Sequence, residues 1–323
     1  MHTQLMALLV TVCTVCAADE VPKHCSAPPT IAYVQAWQTS ISSRNEGPFR
    51  AVLTPLATYK DGKWISGGAY DGSNTRGFSE PKPSAEEQER FWADLVPQRF
   101  FGVNDAALEF TPTSVGQYEA ASGTRVGLDG VRIPETPGSD WGFLVMNRKA
   151  PSPAPVPIEE VTGRGILKRV RERLREAEKD LLKEPFARDF DPNLAQSPVL
   201  DEAFRFRLKK RADAVWVHFT VIYADEKMKA ERSDGDLWKG DYYGVFRTGA
   251  GGGRHPLWQH ATIDPGEGNI GTFYEFLGAV DVNGDGVSEL ILEEYYYELQ
   301  IYFLYELKDG RFAKVAGSGE DGP

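Results

Sequence analysis

Apolar residues return along this chain in short strand-like runs, interrupted twice by helical spacing. The first run, Ile31 to Trp37, fits a strand or a short helix. Val52, Leu53, Leu56 and Tyr59 then lead into Lys60-Asp61-Gly62-Lys63, with Trp64 and Ile65 following. Asp-Gly between apolar runs predicts a tight hairpin. Ser84 and Glu87 form a capping box, which predicts a short helix carrying Phe91, Trp92 and Leu95 and stopped by Pro97. Trp141 to Met146 reads as another strand. Residues 31–148 are therefore expected to form a β-rich N-terminal module with one short helix.

Ala150 to Pro157 places proline at alternate positions, which favours an extended chain. Residues 149–160 read as a Pro-rich linker, or else as an ordered edge segment. Beyond it, Ile166, Val170, Leu174, Ala177 and Leu181 recur three and four apart. This predicts a long amphipathic helix. Its apolar face is narrow and lacks Trp and Phe, so it is expected to pack on its own domain rather than on a membrane.

From Phe204 onward strands dominate. Phe204, Phe206 and Leu208 alternate with Arg205 and Arg207. Ala214 to Tyr223 is a long apolar run in which His218 is read as a packed side chain. Tyr242 to Phe246 and Trp258 to Ile263 are further short strands. Tyr295, Tyr297, Leu299, Ile301, Phe303, Tyr305 and Leu307 share one parity, and Glu294, Glu298, Gln300 and Glu306 the other. That alternation predicts half-buried strands turning near Tyr297–Leu299, with the tyrosines as core or as a carbohydrate platform. Lys308-Asp309-Gly310-Arg311-Phe312 repeats the turn chemistry of residues 60–64. The expected fold class is α+β, mostly antiparallel β. Two β-rich modules carry one short and one long amphipathic helix, the second module being 161–317 and residues 318–323 a loose tail.

Residues 1–18 carry an apolar run from Leu5 to Cys16, too short to span a bilayer, then small residues before Asp19. This predicts a signal peptide, followed by a flexible lead-in over 19–30. The mature chain is expected to be secreted, or periplasmic within the cell envelope. Only Cys25 would remain after cleavage, so no internal disulfide is expected. A net charge of -11 argues against a nucleic-acid partner. No other stretch is long and apolar enough for a transmembrane segment.

One stretch points to a particular chemistry. Asp281-Val-Asn-Gly-Asp-Gly-Val-Ser-Glu289 lies between the apolar runs Phe276–Val280 and Leu290–Leu292. Asp281, Asn283, Asp285 and Glu289 offer oxygen donors, the Val287 carbonyl can add a fifth, and the glycines let the backbone turn. An EF-hand would close its ligand set with a bidentate Glu at the twelfth loop position, which here is Leu292. A bare Asn-Gly-Asp-Gly turn with solvated carboxylates is the other reading. The pattern G-A-V-D-V-N-G-D-G-V-S-E-L resembles the calcium loops of FG-GAP repeats in integrin-type β-propellers and of related VCBS repeats. The resemblance implies Ca2+ held by Asp281, Asn283, Asp285, the Val287 carbonyl and Glu289. It covers a single copy near the C terminus, too little for the several blades of a propeller.

Other chemistry is thin. There is no G-x-S-x-G elbow, no H-E-x-x-H, and no C-x-x-C beyond the signal region. The glycines from Gly249 to Gly253 run into Arg-His-Pro, so they read as a hairpin tip and not a phosphate loop. His255 and His260 have no zinc spacing. Glu293 and Glu294, neighbours on a strand, should face opposite ways. The expected function is an exported, non-enzymatic binding or scaffold protein with one structural calcium loop and an unidentified protein or carbohydrate partner. The rival is a secreted hydrolase whose Asp and Glu residues converge in a cleft.

Overall fold

The structure is a computed structural model. It describes residues 27–38, 49–67, 93, 98–103, 109–117, 124–128, 142–149, 156–157, 164–231, 237–248, 255–265, 271–296 and 299–318. The signal peptide, the helix expected from Ser84, most of the Pro-rich stretch, the Gly-rich tip, Tyr297 and residues 319–323 lie outside the described residues.

The expected fold class holds: antiparallel sheets dominate, with few helices. An eight-stranded sheet has the order β5 (Glu109–Phe110), β4 (Phe100–Gly102), β8 (Gly142–Met146), β1 (Thr30–Gln38), β2 (Phe49–Lys60), β7 (Thr124–Leu128), β6 (Pro112–Gln117), with β3 (Lys63–Ser66) also paired to β2. A five-stranded sheet runs β13 (Pro256–Asp264), β12 (Trp238–Arg247), β11 (Ala212–Tyr223), β10 (Val199–Lys209), β9 (Val156–Pro157). A four-stranded sheet follows chain order: β14 (Thr272–Val280), β15 (Glu289–Tyr296), β16 (Leu299–Lys308), β17 (Arg311–Gly317). Val156–Pro157 of the Pro-rich stretch is thus an edge strand, the place where a residue without an N–H is tolerated.

Both Lys-Asp-Gly turns close tight hairpins. Asp61 and Gly62 have φ of 52° and 78°, and Asp309 and Gly310 have 50° and 79°. Two successive left-handed residues match the twist of the flanking strands. The long helix, Arg164–Leu181, buries Ile166, Val170, Leu174 and Leu181, as its spacing predicts. A second helix, Glu226–Glu231, buries nothing. Among the described residues no helix is long and apolar enough to cross a membrane.

Three cores stack these elements in layers. The long helix covers one face of the five-stranded sheet through Val217, Phe219, Tyr242 and Phe246. The opposite face, with Phe206, Trp216 and Val245, packs on Leu290, Leu292, Phe303 and Tyr305 of the four-stranded sheet. The far side of that sheet, with Ile291, Tyr302 and Leu304, packs on Ile31, Leu56, Leu144 and Met146 of the eight-stranded sheet. The four-stranded sheet is therefore an inner layer. This corrects the half-buried reading of 290–307. Residues 301 to 305 are all buried, whatever their parity, because both faces meet another sheet. The β15–β16 hairpin does turn where expected, with Tyr296 opposite Leu299.

Candidate metal centre

The acidic stretch forms the loop between β14 and β15. Val282 is fully buried beneath the eight-stranded sheet and pins the loop from inside. Ser288 ties its far end to the β10–β11 hairpin: its N–H donates to the Leu208 carbonyl at 2.9 Å and its Oγ to that of Arg207 at 2.7 Å. The Arg148 guanidinium donates to the Val282 carbonyl. Gly284 and Gly286 have φ of 81° and 86°, where L side chains are strained.

The predicted ligands curl into this loop. Asp281 accepts from Gly284 N at 2.7 Å through one oxygen and from Gly286 N at 2.9 Å through the other. Asn283 Oδ1 accepts from Asp285 N at 2.8 Å. Asp285 Oδ1 accepts from Val287 N at 2.7 Å. Glu289 Oε2 accepts from the buried Val282 N at 2.7 Å. Each carboxylate or amide thereby takes one backbone N–H, Asp281 two, and keeps further lone pairs.

Carboxylate oxygens of Asp285, Glu289 and Glu306 lie within 4.8 Å of one another. Of the five predicted ligands, Asp285 and Glu289 join this group. Asp281 and Asn283 serve the loop backbone, and Val287 forms an isolated bridge to Lys209. Glu306, on β16, is an addition. It sits seventeen positions from Glu289 in sequence and arrives only through the β15–β16 pairing. Its carboxylate also meets Lys308 Nζ at 2.9 Å. Glu289 is 1 % exposed. Burial, then the Asp285 and Asp281 carboxylates, push its pKa up to about 8, against the pull of the Val282 N–H. A hard cation among these oxygens would reverse that push, and a set made only of oxygen donors suits Ca2+ or Mg2+.

A second group has mixed donors: Asp201, His218 and Asp241, also within 4.8 Å. His218 is packed, as expected, with its ring stacked on Tyr243 at 4.5 Å. Its Nε2 also lies 2.7 Å from Asp241 Oδ1. Neither aspartate stands out in sequence, because they come from three strands and meet only through register. The third feature is an open cleft of about 1110 Å³ between the long helix and the Asp309-Gly310 turn. Arg169, Arg173, Arg247 and Arg311 line it, and neither acidic group reaches it.

No family model matches this chain. Neither a curated protein nor a solved structure matches it.

Proposed function

We propose that residues 281–289 hold one structural Ca2+ ion, in the manner of the FG-GAP loops that the stretch resembles. The protein is then an exported binding or scaffold protein. The supporting observation is Glu289, a buried carboxylate set among the oxygens of Asp285 and Glu306. Such a group is costly without a cation and well supplied with ligands when one binds. Asp281, Asn283, Asp285, the Val287 carbonyl and Glu289 are the proposed ligands, with Glu306 beside them. The ion's role is to staple a loop at which all three sheets meet: β14 ends at it and β15 starts from it, Ser288 anchors to β10, and Arg148, just past β8, reaches it. Export rests on the pattern of residues 1–18, and the net charge of -11 disfavours nucleic acid as the partner.

Thermal unfolding of residues 19–323 with excess calcium and with EGTA tests the reading. At a hundred times the dissociation constant, an ion that binds only the native state adds about 2.7 kcal/mol. Calcium is expected to raise the wild-type midpoint and leave Asp285→Ala unchanged. A wild type that melts identically in both buffers would reduce the loop to a turn.

A further inference from the structure

The Asp201–His218–Asp241 group is built unlike the loop. We propose that His218 Nδ1 and Asp201 bind a divalent transition cation of the zinc class, with Asp241 as the residue that positions the imidazole.

Asp241 is fully buried on β12, and its Oδ1 faces His218 Nε2 at 2.7 Å. A carboxylate only accepts, so this bond places the ring proton on Nε2 and leaves the Nδ1 lone pair free. A carboxylate holding the far nitrogen is the usual support of a metal-binding histidine. Nδ1 points to Asp201 Oδ2 at 3.8 Å, beyond hydrogen-bond reach. Two ligands with bonds of about 2.0–2.2 Å to one tetrahedral zinc stand about 3.4 Å apart. Closing the gap takes a few tenths of an ångström. An imidazole nitrogen beside a carboxylate selects zinc-class cations over Ca2+.

Asp201 owes its position to a bulge. The β10–β11 register shifts between Leu200 and Glu202, and Glu202 pairs with His218. Unbroken alternation would send Asp201 to the helix side of the sheet. The bulge instead turns its carboxylate to the His218 face, where it accepts from Thr220 Oγ1. Asp201 and His218 side chains are 38 % and 16 % exposed, so solvent reaches the pair.

A second observation marks the group as incomplete. Asp241 Oδ1 takes both His218 and Lys239 Nζ, the latter at 3.3 Å. Asp241 Oδ2 is buried and has no hydrogen-bond partner among the described residues. Buried carboxylate oxygens are rarely left so. A cation on Nδ1 would polarise the imidazole and strengthen the Nε2–H bond that this carboxylate accepts. With two protein donors the remaining positions belong to water or an external ligand, the pattern of an exchangeable site and not of a closed structural one.

The test uses the full mature chain, untagged, with calcium present to fill the loop. Co2+ is the probe, followed by its visible absorption and by displacement with Zn2+. One equivalent is expected to bind with an imidazole-type spectrum. His218→Gln should abolish that spectrum, and Asp201→Asn should weaken binding by about tenfold or more, while Asp241→Asn costs about 10–100-fold. Asp285→Ala should bind Co2+ as the wild type does, which keeps this site separate from the calcium loop. If the buried Asp241→Asn does not fold, Asp201→Asn, at an exposed position, decides the matter. Equal Co2+ binding by wild type and His218→Gln, or no binding by the wild type, would overturn the proposal.

Discussion

Glu289 and Glu293 stand four residues apart on β15, on the face turned to the eight-stranded sheet. They are 1 % and 2 % exposed. Burial pushes both to about 8. Their surroundings differ. Glu293 takes hydrogen bonds from the hydroxyls of Tyr295 and Tyr302, and both pull its pKa down, with Glu275 opposing. Glu289 has only backbone N–H donors, from Val282 and from its own residue, and its other neighbours are the carboxylates of Asp285, Asp281 and Glu306. A buried acid whose oxygens accept from two hydroxyls has its hydrogen bonding met without a cation, and burial alone keeps its proton on. A buried acid among other acids is satisfied by a cation. The same strand therefore carries a candidate ligand and its internal control.

The largest expected effect is the pH dependence at Glu293. Its folded value of about 8 lies above the ordinary 4.5. Between those values the folded state keeps a proton that the unfolded state has lost. The stability this contributes is complete below about pH 4.5 and lost as pH rises through 8, by up to about 1.4 kcal/mol per pH unit. Denaturant midpoints measured from pH 5 to 8 in saturating calcium should fall more steeply for wild type than for Glu293→Gln. Parallel curves would mean that Glu293 is ionised inside the fold.

Next comes the calcium response itself. Glu289→Gln should lose the stabilisation of about 2.7 kcal/mol expected at a hundred times the dissociation constant, whereas Glu293→Gln should keep it. Thermal melts with calcium and with EGTA read both. If the two variants behave alike, the contrast between the two glutamates collapses.

A smaller effect separates the loop's backbone from its ligands. Gly286 has φ of 86° and nothing within 4 Å of where a Cβ would stand. Gly286→Ala should cost about 1 kcal/mol from conformation alone, seen as a lower melting point in EGTA. A neutral result would show that the loop adopts another backbone without its ion. The smallest effect is expected at Glu306, which has Lys308 as a partner already. Glu306→Gln should weaken calcium binding several-fold by calorimetry and leave the EGTA melt unchanged.

What was legible in the sequence was local. The two Asp-Gly hairpins, the long helix and the loop each lie within a few turns or a few strand residues. Their glycines and apolar spacing act on neighbours in the chain. Opposite orientation of Glu293 and Glu294 follows from strand geometry too: Glu294 meets Lys314 at 3.0 Å while Glu293 meets Tyr302. His218 was legible as a packed ring but not as a partner of Asp241, because packing and pairing leave the same mark in an apolar run.

By itself, the sequence determined the antiparallel β-rich class, the turns, and a nine-residue loop with donors at alternate positions. Period, turn chemistry and glycine conformations are properties of adjacent residues, so they need no fold to be read. Only the tertiary structure decided that the four-stranded sheet lies between two others, since burial on both faces depends on what packs there. It also decided that Glu306 joins the loop and that a bulge delivers Asp201 to His218. Strand register sets those meetings, and register is a choice among distant partners that no local pattern encodes.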